Sequence, residues 1–552
     1  MNMKKCSLLS KIGLSILLIL SLSSCGKTEN KKAEESSVSR EVETNVDSNL
    51  ELESNKFGGT IVVAQKMTPP HLDSDKSTDW AISSIMNHVY EGLFEFDAQF
   101  EPQPYLAQSY ELSEDSKVYT VKLREGVLFH NEKEMTAEDV KASFDRWLKN
   151  NDAGNMIAPY FEKLEIINPY EVKFIFNEPY APFISVIASH VSNQKLVIRP
   201  KELIEKYGDN VMTEHIGTGP YRFVNWLPDQ YVNLEKFDNY VARETTGTGL
   251  ASKRVAYADK IVIKSIAEQS TRVAGTQTGE FLFAEEVPQD QYEMIQQDKN
   301  VQPIIVQPDG MEMIIINNGS APFNDKNMRR ALAYAIDMEE FGRTMIGNEA
   351  FWNVDGSIFP KGTIWYEENS GAGVYNNYNP EKAKEILNSA NYDGTPIVIL
   401  SGQDDKIEAQ GAVALKAQLE KAGFNVKIEL FDRPTVVERR SKRDGWNLHL
   451  SYFYMACPDP QVQSAWTGTN AWISNWDDED SKEMDDIFAR MMKETDFDKR
   501  LGIVKEFYAK TWESLPYIKT VEYSRMHLLN TKLKGYENGA QPYFWNTWIE
   551  KK

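Results

Sequence analysis

"LAQSYELSEDSKVYTVKLREGVLFHNEKEMTAEDVKASF", residues 106–144, holds two different periodicities in one short stretch. Val118-Tyr119-Thr120-Val121-Lys122-Leu123 alternates at period two, the pattern of a strand with one buried face. Thr136-Ala137-Glu138-Asp139 opens a helix. Threonine suits the N-cap, the two acids sit where the helix dipole favours negative charge, and Val140, Phe144 and Leu148 then fall on one face. A strand and a helix this close together point to a chain of mixed α/β type.

The same signals recur on both sides. Gly59-Thr60-Ile61-Val62-Val63-Ala64 reads as a strand after a glycine pair, and Val172-Lys173-Phe174-Ile175-Phe176 as another. Residues 327–336 and 381–390 read as helices. Residues 410–422 form an amphipathic helix closed by Gly423 at C′, leading into a strand over 425–430. Helix-then-strand units of this kind build a lobe around a covered sheet.

Upstream the chain changes character. Lys4, Lys5 and Lys11 precede the apolar run Ile12 to Leu22, and Ser23 and Ser24 follow it. That is the layout of a secretory signal, with residues 1–24 removed. The run is about half of the ~20 residues that a membrane-spanning helix needs. Residues 26–56 contain no Phe, Tyr, Trp or Ile and cannot bury enough to fold, so 25–56 is expected to be a flexible tether. Leu22-Ser23-Ser24-Cys25-Gly26 resembles a bacterial lipobox. The resemblance implies that Cys25 is lipidated and that the chain is anchored on the extracytoplasmic face of the cell membrane. With Cys6 removed and Cys25 modified, Cys457 is the single remaining thiol. No internal disulfide or cysteine-based zinc site is then possible.

Composition narrows the function. A net charge of −21 excludes the basic face that nucleic acid requires and disfavours anionic lipid. The chain has no GxSxG, HExxH, P-loop or GxGxxG after a strand, and its seven histidines show no i, i+4 pair. Its 82 acids guarantee carboxylate pairs by number alone, so such pairs do not argue for a glycosidase. Nothing marks a reaction centre, and neither metal nor cofactor is expected. What stands out is aromatic weight: 12 Trp, 25 Tyr and 25 Phe. Any single one is better read as core. Several nevertheless sit beside polar or turn residues, as in Thr78-Asp79-Trp80, Phe351-Trp352-Asn353 and Tyr452-Phe453-Tyr454, and aromatic walls with few polar anchors suit a binding cleft.

Three stretches resemble the family 5 extracellular solute-binding proteins, the peptide/nickel-type receptors of ABC importers. Residues 106–144 follow the pattern LAxSWxxSxDxxxYTFxLRxGVxFHDGxPxTAEDVxxSF. Gly217-Thr218-Gly219-Pro220-Tyr221 matches a GTGPY turn, and residues 316–337 match a third segment. The resemblance continues through 496–500 and 533–536, covering nearly everything after the tether.

This resemblance implies an α/β, two-lobed periplasmic-binding-protein-like fold of type II, in the large three-subdomain peptide-binding variety, with a two-strand hinge. Lobe I is expected over 57–307, including an extra subdomain over roughly 98–213, lobe II over 308–519, and a return to lobe I over 520–552. The hinge crossings are expected near Val306–Met311 and Ile518–Tyr523. The implied activity is binding rather than catalysis: a monomer that captures short peptides by closing and delivers them to permease subunits. An oligosaccharide or a metal-chelate is the alternative cargo, and an exported hydrolase is a remote third reading. The implied ligand contacts are Ser77, Thr78, Asp79 and Trp80 in lobe I, and Tyr452, Phe453, Tyr454, Met455, Ala456 and Asp459 in lobe II. Trp352 joins them as a candidate aromatic wall. Peptide-binding members carry an Asp four residues before the loop proline. Here that position, counted from Pro460, is Ala456, so Asp459 or Asp79 substitutes for it or the ligand lacks a free α-amine. The nickel-type members carry a His after the Asp-Pro pair, and this chain has Gln461.

Overall fold

Three sheets organise the chain in the computed structural model. It describes residues 55–551 apart from 68, 245–246, 307–308, 405, 455–458, 470, 472–474 and 540. The signal segment, Cys25 and nearly all of the tether lie outside the described residues, as do Met455, Ala456 and Cys457. Among the described residues no helix is long and apolar enough to cross a membrane.

The first sheet has seven strands, in the spatial order 301–305, 526–530, 283–284, 60–65, 260–265, 231–236 and 221–227. At its centre Thr60–Gln65 runs parallel to Lys260–Ser265, with Ile61 opposite Ile261 and Val63 opposite Ile263. The second sheet has six strands, in the order 352–353, 517–523, 310–316, 448–454, 397–402 and 426–431. Its strand Gly310–Ile316 is buried along its whole length, as its apolar residues require, with Glu312 the one charged residue in it.

The chain leaves the first sheet after Ile305 and enters the second at Gly310. It returns between Tyr523 and Met526. Thr520–Tyr523 therefore belong to the second sheet, and the return falls at Ser524–Arg525, a few residues beyond the expected boundary at 519.

The third sheet is an antiparallel four-stranded unit in the order 107–112, 118–123, 171–176 and 161–168. In Val118–Leu123 the residues Tyr119, Val121 and Leu123 are buried, as period two anticipates. The helix Ala137–Asn150 covers this sheet with Val140, Phe144 and Trp147, and the Phe144 ring lies 4.9 Å from that of Phe174. Asp139 closes the helix start by accepting the Thr136 N–H at 2.9 Å and its hydroxyl at 3.0 Å.

His130, from the same stretch, ties this unit to the GTGPY turn. Its Nδ1 accepts the Gly217 N–H at 3.2 Å and its Nε2 donates to the Gly219 carbonyl at 3.0 Å, which fixes the Nε2–H tautomer. A Cβ on Gly217 would overlap the Val89 carbonyl oxygen. Backbone cannot yield there as a flexible side chain can. Gly217→Ala is expected to destabilise the fold by about 1–3 kcal/mol, read as a lower denaturant midpoint at unchanged slope.

Candidate ligand-binding site

The ends of the first and second sheets meet around the two crossings, and an aromatic pair marks the junction. Trp80 is the first residue of the helix Trp80–Met86, which Asp79 caps by accepting the Ala81 N–H at 2.8 Å. This helix packs under the first sheet through Ile82 and Ile85. Tyr454 ends the strand Leu448–Tyr454 of the second sheet. Their rings meet edge to face with centroids 5.0 Å apart. The Tyr454 hydroxyl also lies 3.2 Å from His190 Nε2.

Charged groups line the floor. The Trp80 indole N–H donates to Glu285, and the adjacent Glu286 pairs with Lys66 at 2.7 Å and Arg525 at 2.9 Å. Burial and the neighbouring Glu286 charge push Glu285 up to about 7. Burial opposes ionisation of Glu286 too, but Arg525 and Lys66 bring it down to about 2. Arg525, in the return crossing, grips Asp309 in the outgoing crossing through two hydrogen bonds of 2.6 and 2.5 Å. Its guanidinium stands 4.7 Å from the Trp80 ring centroid and 5.5 Å from that of Tyr454. Tyr452 and Tyr523 stand edge to face beside it, with centroids 5.7 Å apart. Gly310 makes room for them: a Cβ there would stand 2.6 Å from the Tyr452 hydroxyl.

The strand carrying Tyr452 and Tyr454 offers a backbone edge. Its pairing with the strand 397–402 stops after Ile399↔Leu448 and Leu400↔His449. Among the described residues no strand continues that edge beyond His449.

The expected site residues separate into groups. Trp80 and Tyr454 come together, with Asp79 adjoining Trp80 and Tyr452 adjoining the crossings. Ser77 accepts the Asp79 N–H at 3.1 Å and Thr78 is exposed, so both shape the loop before the helix. Phe453 turns the other way, onto Trp466 at 5.4 Å. Trp352 lies over Gly342, whose added Cβ would meet its ring, so that indole serves packing. Asp459 does not join the site. It is fully buried and holds Arg500 through two bonds of 2.8 Å, and a carboxylate so committed cannot take a ligand cation. Met455 and Ala456 lie outside the described residues.

Arg525, Asp309, Glu285, Glu286 and His190 were missed. The available signal was Arg525 itself, an arginine between the two strand-like stretches 517–523 and 526–530.

Away from the crossings the four-stranded unit also touches the second sheet's side. The Tyr180 hydroxyl donates to Gln461 Oε1 at 2.8 Å, the Ala181 N–H donates to the Met492 carbonyl at 2.8 Å, and Lys493 pairs with Glu178 at 2.6 Å. Gln461, where the nickel-type pattern has a His, is thus used to join two parts of the fold. Among the described residues no group of three or more His, Cys, Asp or Glu could hold a metal ion.

Two sheets joined by paired crossings, with an aromatic pair shared between them, define a two-lobed solute-binding protein. The chain belongs to the bacterial extracellular solute-binding proteins, family 5, whose middle region matches residues 101–475. It has the type II fold of that class and is a binding protein, not an enzyme. It is 27% identical over 472 residues to the probable peptide ABC transporter periplasmic-binding protein y4tO of Sinorhizobium fredii, covering 83% of this chain and 87% of the relative. It is 28% identical over 482 residues to the glutathione-binding protein GsiB of Escherichia coli K12, covering 84% and 88%. Among solved structures it superposes on the ABC transporter substrate-binding protein CtaP of Listeria monocytogenes with a TM-score of 0.78 at 19% identity, covering 90% of this chain and 100% of that one.

Proposed function

We propose that this chain is a lipid-anchored, extracytoplasmic receptor that captures short peptides between two lobes and presents them to an ABC permease. The first sheet and its C-terminal return form one lobe, with the four-stranded unit within about 98–213 as its extra subdomain. The second sheet forms the other lobe, and Cys25 carries the anchor.

The observation that carries the peptide reading is the Trp80–Tyr454 pair beside Asp79, with a strand edge running up to it. A peptide would add to that edge through its backbone, and the aromatic faces would hold a side chain. Asp79 is half-exposed and makes no ion pair among the described residues, so it is the carboxylate left to receive an α-ammonium in place of the missing acid at Ala456. The two relatives named for peptide and glutathione agree with this cargo class. An oligosaccharide finds less support, because Trp352 is spent on packing.

The test is calorimetry with glutathione, Met-Leu, Ser-Thr-Ser-Ala and their N-acetylated copies. Free peptides are expected to bind and acetylated ones to bind at least about tenfold more weakly, with Asp79→Ala removing that difference. Equal affinity for both forms would discard the amine anchor, and no binding of any peptide would discard the cargo assignment.

A further inference from the structure

The crossings and the aromatic pair are treated separately in a hinge-and-cleft description, yet one side chain touches both. Arg525 lies in the return crossing and binds Asp309 of the outgoing one through a two-pronged contact. Its third edge reaches Glu286, next in the chain to the Glu285 that accepts the Trp80 indole N–H. Its planar face lies near Trp80 of one sheet's side and Tyr454 of the other. A planar, delocalised cation can satisfy a carboxylate with its edge while attracting ring faces, and a lysine ammonium cannot do both.

We propose that Arg525 is a positioning residue for ligand capture, coupling the spacing of the two crossings to the meeting of Trp80 and Tyr454. This rests on the two-lobe reading above. If the crossings separate, the fork to Asp309 and the stack under the rings cannot both persist, so the aromatic pair parts with them. If a ligand draws Trp80 and Tyr454 together, the guanidinium is held where it clamps the crossings. Asp309, fully buried, has no other cation within ion-pairing distance among the described residues, so the coupling runs through this one side chain.

Hydrogen–deuterium exchange on the full, unliganded chain tests the coupling without knowing the cargo. The Ala181 amide, bonded across to Met492, reports closure, and the amides of 260–265, deep in the first sheet, report global stability. Arg525→Lys is expected to speed exchange at Ala181 and over 448–454 about tenfold while leaving 260–265 unchanged. It should also weaken, by about tenfold or more, whichever of glutathione or Ser-Thr-Ser-Ala the wild type binds. A uniform rise across all segments, tracking a lower Tm, would reduce Arg525 to a fold-stabilising residue, and unchanged exchange at Ala181 would overturn the proposal. Should Arg525→Lys fail to fold, Trp80→Leu leaves the Asp309 fork intact and must loosen Ala181 in the same selective way, or the coupling is wrong. If wild type binds neither peptide, the cargo assignment falls, while Ala181 still decides the role of Arg525.

Discussion

Between pH 6.5 and about pH 4 the folded chain is expected to lose most or all of its stability in one steep transition. Six of the seven histidines are held neutral, five of them buried and His130 half-buried. Burial is the first cause in every case, and each also has a cation nearby: Arg254 for His88, Arg222 for His130, Lys195 for His190, Arg199 for His215, Arg440 for His449 and Arg525 for His527. His88, His130, His215 and His449 are pushed down to about 4, and His190 and His527 to about 3. In the unfolded chain each titrates near ~6.5. The folded values lie below the unfolded ones. The stability these groups carry is therefore complete above ~6.5 and is lost as pH falls toward the folded values. One such group gives a slope of about 1.4 kcal/mol per pH unit, and six together approach roughly 8. That rivals the whole stability of an ordinary domain, about 5–15 kcal/mol. Glu285, with a folded value of about 7, and Glu91, raised by burial, run the opposite way, but they are two groups against six. Urea denaturation at half-unit pH steps, with proton uptake measured directly, checks this. A midpoint that stays flat from pH 6.5 to 5 would contradict it.

Asp459→Ala is expected to cost about 3–5 kcal/mol and to leave ligand affinity per folded molecule unchanged. The carboxylate and the Arg500 guanidinium are both buried, and Arg500 also donates to the Met491 carbonyl at 3.0 Å and lies 5.1 Å from the Trp365 ring centroid. Removing the acid strands a buried cation whose other contacts hold it in place. Asp459 also accepts the Gln461 N–H at 3.1 Å, so the short helix that presents Gln461 to Tyr180 loses its cap. Converting both partners to leucine and methionine should cost clearly less than Asp459→Ala, because no charge is left unpaired. Equilibrium unfolding of both variants, alongside calorimetry, decides. A stable Asp459→Asn protein that no longer binds peptide would return this residue to the ligand site.

Local chemistry made much of the fold legible. The Thr136–Asp139 start, the period-two strand Val118–Leu123 and the glycine-closed helix before Gly423 depend on neighbours within a few positions, and all three are present. The site was legible only in part. Trp80 and Tyr454 follow from the family pattern, and the structure brings them together. Asp459 was misread because an acid before a proline looks the same whether it faces a cleft or a buried arginine 41 positions further on. Arg525 and Asp309 lie 216 positions apart, and neither carries a local pattern. Their meaning exists only once the chain has crossed and returned.

The route of that return has a consequence for how the molecule comes into being. Tyr517–Tyr523 sits between two strands of the second sheet, and Met526–Asn530 between two strands of the first. Neither large sheet can therefore close until this one stretch is available. Of the three larger sheets, the four-stranded one alone draws all its strands from neighbouring sequence. It is the one larger sheet able to form before residues 517–530 are available, while the other two, non-local, wait for that same segment. A chain ending before residue 517 would lose the completion of both large sheets, not of one.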